Sequence, residues 1–346
     1  MILLIGDMHI NARNSSVQVM ENHIKFWENT IFPLIKNNKI KDIIQTGDLL
    51  DVRKFSNHYI LHTWKRRVFD VLESLKVNFH VIVGNHDMYF KHDVDVNSIN
   101  VLFKEYKNIK LYSKVSSVTI DNKDFIMVPW ICDTNREEVY NYLESADKSS
   151  TVVGHFELLG FDVMKNNPAD IGDYPDFLRK FSKVISGHYH TQSKLDNIHY
   201  IGTPAELTWG DYDDPKGIWL LSDDMKFIKN EYPLHVKYVY DDTTPVKLDY
   251  SLASGSYVRL IVVNKSHITK FDNVIKKIEE QNPIEFRIID EIDIKSDSDN
   301  DIESENISTE NLLDYLKDVV ESIETELDKD ILYSEIKELY LEGINT

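Results

Sequence analysis

Acidic, amide and imidazole side chains recur in this chain where short apolar runs end in glycine. The run 81–83 is followed by Gly84-Asn85-His86-Asp87. A short apolar run rich in β-branched residues is typical of a buried strand, and open α/β sheets carry their chemistry at the carboxyl ends of such strands. Taken alone, this tetrapeptide is also compatible with a turn whose Asp caps a helix.

Four further strand ends have the same character: Gly6-Asp7-Met8-His9, Gly47-Asp48, Gly154-His155 and Gly187-His188-Tyr189-His190. Residues two apart point the same way from an extended backbone. Asp7 and His9 are therefore expected to share a face, and so are His188 and His190. Each pair taken singly is equally compatible with ordinary surface residues. The recurrence of the pattern at several strand ends is what indicates a functional site.

The recurring side chains form a set with the composition of a metal site, namely Asp7, His9, Asp48, Asn85, His155, His188 and His190. Such a set can hold two adjacent divalent ions that share one carboxylate. Mixed nitrogen and oxygen ligands suit Mn²⁺, Fe²⁺ or Zn²⁺ better than Mg²⁺ or Ca²⁺. Two such ions form a clamp for in-line attack at phosphorus and lower the pKa of a bridging water.

The elements that must position these residues predict a layered α/β domain. Strands are predicted at 2–6, 42–46 and 81–83, and apolar residues recur at helical spacing over 17–36 and 61–75. This is the order strand, helix, strand, helix, strand. The character changes near residue 236, and four segments are predicted: a catalytic domain at 1–235, a small α+β module at 236–289, an acidic linker at 290–306 and amphipathic helices at 307–346.

Charge is distributed unevenly along the chain. The formal net charge of −19 at first argues against a nucleic-acid partner, but residues 290–346 alone contribute −15. The nearly neutral remainder, with divalent cations in its site, can still hold a phosphate backbone. The single cysteine, Cys132, excludes an internal disulfide and favours a reducing compartment. The apolar start at 1–5 is too short for a signal peptide or a membrane span, so a soluble cytoplasmic protein is expected.

The five glycine motifs match, in order, the signature of the calcineurin-like metallophosphoesterases. Within that superfamily the chain resembles the Mre/SbcD nuclease family of double-strand-break repair, and most of all its T-even phage members. The run Gly47 to Lys54, the segment 154–160, Val128-Pro129-Trp130 and the segment 200–204 carry this closer resemblance. The resemblance implies a four-layer α/β/β/α sandwich with a small α+β capping module and C-terminal helices.

The resemblance also implies a function. The expected activity is that of a two-metal DNA nuclease, a Mn²⁺-dependent 3′→5′ exonuclease on duplex DNA and an endonuclease on single strands, with Mg²⁺ as the other metal candidate. The expected setting is recombination, repair or replication of DNA, in the host cytoplasm if the chain is encoded by a phage. The expected partners are DNA, an SMC-like ATPase docked on the C-terminal helices, and a second copy in a homodimer within a heterotetramer.

Roles follow residue by residue from the resemblance. Asp7, His9, Asp48 and His190 would hold one ion, and Asp48, Asn85, His155 and His188 the other. His86 matches the family's catalytic histidine, with Asp87 as the residue that orients it. Cellular members often carry a DNA-positioning histidine where this chain has Asp51. Arg53 and Lys54 are candidate phosphate contacts, although an ordinary solvated charge is the favoured interpretation of each.

Two other functions are compatible with parts of the pattern. One is a phosphoesterase acting on small phosphodiesters or phosphoproteins, although the capping module and the terminal helices are features that such an enzyme does not need. The other is a scaffold whose metal site is idle, which the complete ligand set and His86 disfavour. Trp130 and Trp209 lie near the motifs, and core packing is the expected role of both.

Overall fold

The computed structural model describes residues 1–165, 167–244 and 247–290. The predicted helices at 307–346 and all but the first residue of the predicted linker lie outside these ranges. The strands are β1 (Ile2–Ile5), β2 (Asp42–Gln45), β3 (Asn78–Ile82), β4 (Met88–Phe90), β5 (Asp93–Asn97), β6 (Ile109–Tyr112), β7 (Ser116–Ile120), β8 (Lys123–Val128), β9 (Thr151–His155), β10 (Asp162–Met164), β11 (Asn167–Pro168), β12 (Lys183–Gly187), β13 (Ser193–Leu195), β14 (Ile198–Tyr200), β15 (Gly217–Leu221), β16 (Met225–Lys229), β17 (His235–Asp241), β18 (Tyr257–Asn264) and β19 (Glu285–Asp290).

The helices fall largely where the sequence predicts them. Apart from the short helical turn Ala12–Ser15 and three 3₁₀ turns, the helices of the described residues are α1 (Val17–Phe26), α2 (Phe32–Asn38), α3 (His58–Trp64), α4 (Asp70–Ser74), α5 (Ser98–Leu102), α6 (Arg136–Ser145) and α7 (Ile268–Glu279). A π-helical turn, Trp27–Ile31, joins α1 to α2, and a second, Lys65–Phe69, joins α3 to α4. Ser16 caps α1 through its hydroxyl, and the Asn57 side chain caps α3, so each helix begins at a residue suited to that position.

The first sheet contains the three strands that end in the first three motifs. Its order is β16-β15-β1-β2-β3-β6. Strands β1, β2, β3 and β6 run parallel, and β15 and β16 add an antiparallel edge. The carboxyl ends of β1, β2 and β3 therefore lie side by side.

The second sheet has the order β13-β14-β12-β9-β8-β7. Its four inner strands, β14, β12, β9 and β8, are parallel, and each outer strand is antiparallel to its neighbour. The ends of β9 and β12, which carry the two remaining motifs, are adjacent, because Gly187 pairs with His155.

Three apolar cores give these sheets a four-layer order. Residues of both sheets, such as Ile44 of β2 and Val153 of β9, form the core between them. On the outer face of the first sheet a larger core includes Trp27 and Trp64 from the helical segments. On the outer face of the second sheet Leu143 of α6 packs in a third core. The predicted α/β fold, with mixed parallel and antiparallel sheets, is confirmed.

The C-terminal part of the described chain contains a three-stranded sheet of order β17-β18-β19 and the helix α7. By compactness the described residues divide into two units: 1–165, 167–238, 247–259 and 268–287 belong to one, and 239–244, 260–267 and 288–290 belong to the other. The domain boundary at 235/236 stays a prediction. Within the described ranges, no helix is both long enough and apolar enough to cross a membrane.

Candidate metal centre

The carboxyl ends of the parallel strands bring together every predicted metal ligand. The seven side chains follow or end β1 (Asp7, His9), β2 (Asp48), β3 (Asn85), β9 (His155) and β12 (His188, His190). They are buried or half-buried, and the His155 side chain has no exposed surface at all. Since each strand buries an apolar run and ends at a glycine, the polar groups gather at the mouth of the core.

Asp7, His9 and His190 form the first ligand group. One donor atom from each lies within 4.8 Å of the others. The Nε2 atoms of His9 and His190 face each other at 3.1 Å. Two nitrogens that bind one ion at about 2.1 Å each lie roughly 3 to 3.4 Å apart at tetrahedral or octahedral angles, so this pair fits a shared transition-metal ion.

Asp48, His155 and His188 form the second ligand group, again with donor atoms within 4.8 Å of one another. His155 Nε2 lies 3.3 Å from Asp48 Oδ2 and 2.9 Å from Asn85 Oδ1. Asp48 Oδ2 also lies 3.9 Å from His9 Nε2. Asp48 is therefore the carboxylate that both groups can reach, and the donor set fits two neighbouring divalent cations.

Polar contacts behind the ligands orient their imidazoles. His155 Nδ1 is 2.7 Å from the carbonyl oxygen of Thr46, which leaves Nε2 facing Asp48. His9 Nδ1 lies 3.0 Å from Asp51 Oδ1, which likewise leaves Nε2 facing the centre. Such outer contacts fix the tautomer and the ring orientation of metal-binding histidines.

Mutual charge shifts the pKa values of the buried groups. Burial raises the pKa of Asp7 to about 7. Burial disfavours the charged form of His155, but the Asp48 and Asp7 carboxylates outweigh it and raise the pKa to about 9. Burial alone would raise the pKa of Asp48, but the attraction of the His155 imidazolium is stronger and holds that pKa below its ordinary value. A cluster in which carboxylates depend on neighbouring positive charge is suited to bind cations.

Several ligand positions adopt left-handed backbone conformations. The φ angles are 45° at His9, 53° at Asp48 and 87° at His188. Such angles are uncommon outside glycine and cluster at functional sites. Gly47 also has a left-handed backbone, with a φ of +98°. A Cβ at this position would lie 2.5 Å from His155 Nδ1. Close approach of the chain to its own ligands therefore explains this glycine.

His86 lies beside the ligand groups and is held by its backbone and ring. Its amide donates to Asp48 Oδ1 at 2.8 Å, and its Nδ1 is 2.6 Å from the carbonyl oxygen of Asp51. The ring packs edge-on against His9, with centroids 5.1 Å apart. His86 is half-buried, so part of the residue remains exposed to solvent.

Asp87 occupies a different place from the one expected for a residue that orients the His86 ring. Its fully buried carboxylate accepts backbone hydrogen bonds from Gly84, Leu49 and Leu50, at 2.9, 3.3 and 3.0 Å. The contact to the His86 ring comes from the Asp51 carbonyl instead. The physical reason is that a buried carboxylate takes the nearest amide donors, which here join the loops after β2 and β3.

The two candidate DNA contacts differ in their surroundings. Arg53 Nε donates to the carbonyl oxygen of Asn85 at 2.8 Å, so its half-buried side chain braces the loop that carries His86. The exposed Lys54 ammonium lies 5.8 Å from the centre of the Tyr89 ring. A role in binding phosphate stays a prediction for both.

The sequence did not reveal two residues that support the centre. Asp51 contacts His9 and His86, and Lys216 Nζ donates to the His190 carbonyl oxygen at 2.8 Å. In the sequence, Asp51 stands out only as a departure from the family pattern. Lys216 precedes β15 and carries no motif, so only the folded structure could reveal its role.

Comparisons with known proteins agree with this geometry. The family described as calcineurin-like phosphoesterase matches residues 1–192. The chain is 32% identical to a protein named exonuclease subunit 1 from Enterobacteria phage T4, over 99% of each chain. It is 24% identical over 213 residues to a protein named DNA double-strand break repair protein Mre11 from Sulfolobus acidocaldarius, which covers 59% of this chain and 54% of the relative.

These similarities confirm the resemblance inferred from the motifs and the predicted class of enzyme, a metal-dependent phosphoesterase. Family membership implies divalent metal ions, and the described residues include the side-chain groups that could hold them. The family match covers more than half of the sequence and includes all seven candidate ligands. By that match and by its full-length relative, the chain belongs to the calcineurin-like phosphoesterase family.

Proposed function

We propose that this protein is a two-metal DNA nuclease that works in recombination or repair. The single observation that carries the proposal is the pair of ligand groups joined at Asp48, with His86 beside them. Two metals close together suit the hydrolysis of phosphodiesters. The printed names of both relatives, an exonuclease subunit and a DNA repair protein, support DNA as the substrate.

The ligand assignment follows the two groups. Asp7, His9 and His190, with Asp48, would hold one ion, and Asn85, His155 and His188, with Asp48, the other. Mn²⁺ is the proposed metal, since four of the ligands are imidazoles and the rest are oxygen donors. When bound, such ions would supply a hydroxide near neutral pH and neutralise charge on the phosphate.

His86 is the proposed catalytic residue of the chain itself. With Nδ1 bound to the Asp51 carbonyl, Nε2 remains to donate a hydrogen bond to the phosphoryl oxygen or a proton to the leaving oxygen. Asp87 acts as a positioning residue, because its carboxylate accepts hydrogen bonds from the backbone of both Leu50 and Gly84 and so joins the loops after β2 and β3. Arg53, through the Asn85 carbonyl, would support the same loop.

Two matched substitutions test this assignment. His86→Gln is expected to keep both Mn²⁺ sites in a calorimetric titration and to slow the cleavage of end-labelled duplex DNA by roughly 10² to 10⁴-fold. The control is His62→Gln, an exposed histidine on α3, which should leave both properties unchanged. Chelation should abolish cleavage by the wild type, so cleavage by metal-free protein would overturn the proposal.

The finer expectations concern polarity and partners. We propose 3′→5′ exonuclease activity on duplex DNA, endonuclease activity on single strands, and assembly as a homodimer with an SMC-like ATPase docked on residues 307–346. The word subunit in the name of the phage relative supports a complex. A chain lacking 307–346 should retain weak Mn²⁺-dependent cleavage but fail to co-purify with the ATPase. Co-purification of the shortened chain would refute this docking role.

A further inference from the structure

A small cavity opens beside the second ligand group and has no role in the chemistry described above. Its volume is about 190 Å³, and its lining includes the ligand His155, the aromatic ring of Trp130, the side chains of Ile131 and Ile171, and the polar side chains of Arg136 and Asp173. Sites for drug-sized ligands are typically about 300–1,000 Å³. The cavity is therefore suited to one ring system rather than to a whole nucleotide.

Trp130 ties the cavity to the candidate metal centre. Its ring centroid lies 5.0 Å from that of His188 and 5.8 Å from that of His155. Backbone bonds hold it in place, since its amide donates to Val83 at 2.8 Å and its carbonyl accepts from Asn135 at 2.9 Å. The half-buried indole packs against a small apolar core that includes Val83, and it lines the cavity together with His155.

The opposite lining is a loop fastened to the segment after β9. The Asp173 amide donates to the Glu157 carbonyl at 2.8 Å, and Gly172 has a φ of +132° with its Cα so close that a Cβ would lie 2.6 Å from the same oxygen. This tight approach presents Ile171 to solvent with 71% of its surface exposed. An exposed isoleucine beside a buried catalytic centre is a candidate for contact with an apolar ligand surface.

The polar side of the cavity offers both donors and acceptors. Arg136 Nη1 donates to both carboxylate oxygens of Asp173, at 3.0 and 3.1 Å. The two side chains remain 47% and 33% exposed. A guanidinium held beside a carboxylate presents hydrogen-bonding groups in one plane, which suits the edge of a heterocyclic base.

We propose that this cavity receives one unstacked nucleobase, that of a nucleotide next to the scissile phosphate. Trp130 and Ile171 would contact the faces of the base, and Arg136 and Asp173 its edge. Aromatic side chains bind bases of any sequence by stacking. The inference rests on the proposed nuclease function. It adds that efficient cleavage requires a base bound in the cavity, so the DNA must be locally unpaired at the site of cleavage.

The test uses an end-labelled single-stranded oligonucleotide with one abasic residue, with Mn²⁺ and the full chain. The cleavage ladder reports the rate at every phosphodiester. One of the two bonds that flank the abasic residue should be cut roughly 5- to 150-fold more slowly than the same bond in the intact strand, the range expected for the loss of one stacked base. If both flanking bonds were cut at the same rates as the corresponding bonds of the intact strand, the inference would be overturned.

A variant links the effect to the cavity. Ile171→Asn should slow cleavage of the intact strand several-fold, yet have no further effect at the slowed bond of the abasic strand, because the contact is already absent there. The matched control is Ile268→Asn on α7, where the isoleucine is 64% exposed. Losses that simply multiply would show that Ile171 and the base act independently, and would refute the proposal.

Failure of the nuclease assignment gives a different result. In that case wild-type protein with Mn²⁺ would leave every oligonucleotide intact while still hydrolysing bis(p-nitrophenyl) phosphate. That outcome would overturn the proposed function, and with it the base site. Cleavage of DNA without any effect of the abasic residue would overturn the base site alone.

Discussion

Lys216 is the residue whose substitution tests the support of the centre most directly. Its side chain is 3% exposed, and Nζ lies 2.7 Å from Asp211 Oδ1 and 2.7 Å from Asp214 Oδ2. The same ammonium donates to the carbonyl oxygen of His190. One buried cation therefore holds two buried carboxylates and the backbone of a candidate metal ligand.

The expected cost of Lys216→Met follows from these contacts. Removing one partner of a buried ion pair costs about 3–5 kcal/mol, because the remaining charge stays buried without compensation. Here two carboxylates would remain, but other donors retain part of their stabilisation. Asp211 also accepts from the backbone amides of Leu207 and Thr208, and Asp214 accepts from the hydroxyl of Thr191. We therefore expect the free energy of unfolding to fall by about 4 kcal/mol.

The assay separates stability from metal binding. Urea unfolding of metal-free protein at pH 7, monitored by tryptophan fluorescence, gives the free energy of unfolding. Calorimetric titration with Mn²⁺ gives the metal affinity. Loss of the contact to His190 should weaken Mn²⁺ binding about 10- to 100-fold, as is usual for groups that orient a ligand. A variant that combines Lys216→Met with Asp211→Asn and Asp214→Asn should regain most of the stability but not the affinity.

The refuting result is equally specific. If Lys216→Met lowered the free energy of unfolding by less than about 1 kcal/mol, the ion network would not be the buried structural element inferred from its distances. If stability fell as expected but Mn²⁺ affinity stayed at the wild-type value, the hydrogen bond to the His190 carbonyl would not position that ligand.

Three further predictions concern single residues near the centre. Gly187→Ala should weaken Mn²⁺ binding and lower unfolding free energy by about 1–3 kcal/mol, because its Cβ would lie 2.4 Å from Asp7 Oδ1; wild-type titration curves would contradict this. Burial lowers the pKa of His23 to about 4. The unfolded chain takes up this proton near pH 6.5, so the contribution of His23 to the stability of metal-free protein is complete above that pH and falls by about 3 kcal/mol as the pH drops to 4. His23→Gln should remove this component from the pH dependence of urea unfolding, and a pH dependence identical to that of the wild type would disprove it. Asp87→Asn should cost about 2 kcal/mol, because an amide cannot accept all three backbone hydrogen bonds; a thermal melt like that of the wild type would count against it.

The sequence predicted which residues gather at the centre better than it predicted why. The alternation of an extended strand was expected to put Asp7 and His9 on one face. In the structure β1 ends at Ile5, and His9 reaches Asp7 through a left-handed turn with φ of 45°. The same rule would send His188 and His190 to one ion, yet they join different ligand groups. The family resemblance, unlike the alternation, implies separate ions for them, and that assignment stays a prediction.

Residues without a motif were invisible to the sequence for a physical reason. Lys216 and Asp211 are separated from His190 by more than twenty residues, and no periodic pattern marks a polar side chain that will be buried. Trp130 was expected to pack in the core, because burial is the usual fate of a tryptophan near a strand. It does pack, half-buried, against a small apolar core that includes Val83. It also lines a cavity, and that second role depends on the path of the distant loop at Gly172.

The origin of the ligands links metal binding to the packing of the two sheets. The first group combines Asp7 and His9 of the first sheet with His190 of the second. The second group combines Asp48 of the first sheet with His155 and His188 of the second. Neither sheet alone supplies a complete group. Bound ions would therefore link the two sheets beside their shared apolar core. An ion that binds only the folded state stabilises that state in proportion to the logarithm of the ion concentration. Unfolding midpoints should accordingly rise with Mn²⁺ concentration, and Asp48, which both groups can reach, should be the ligand whose loss weakens that dependence most.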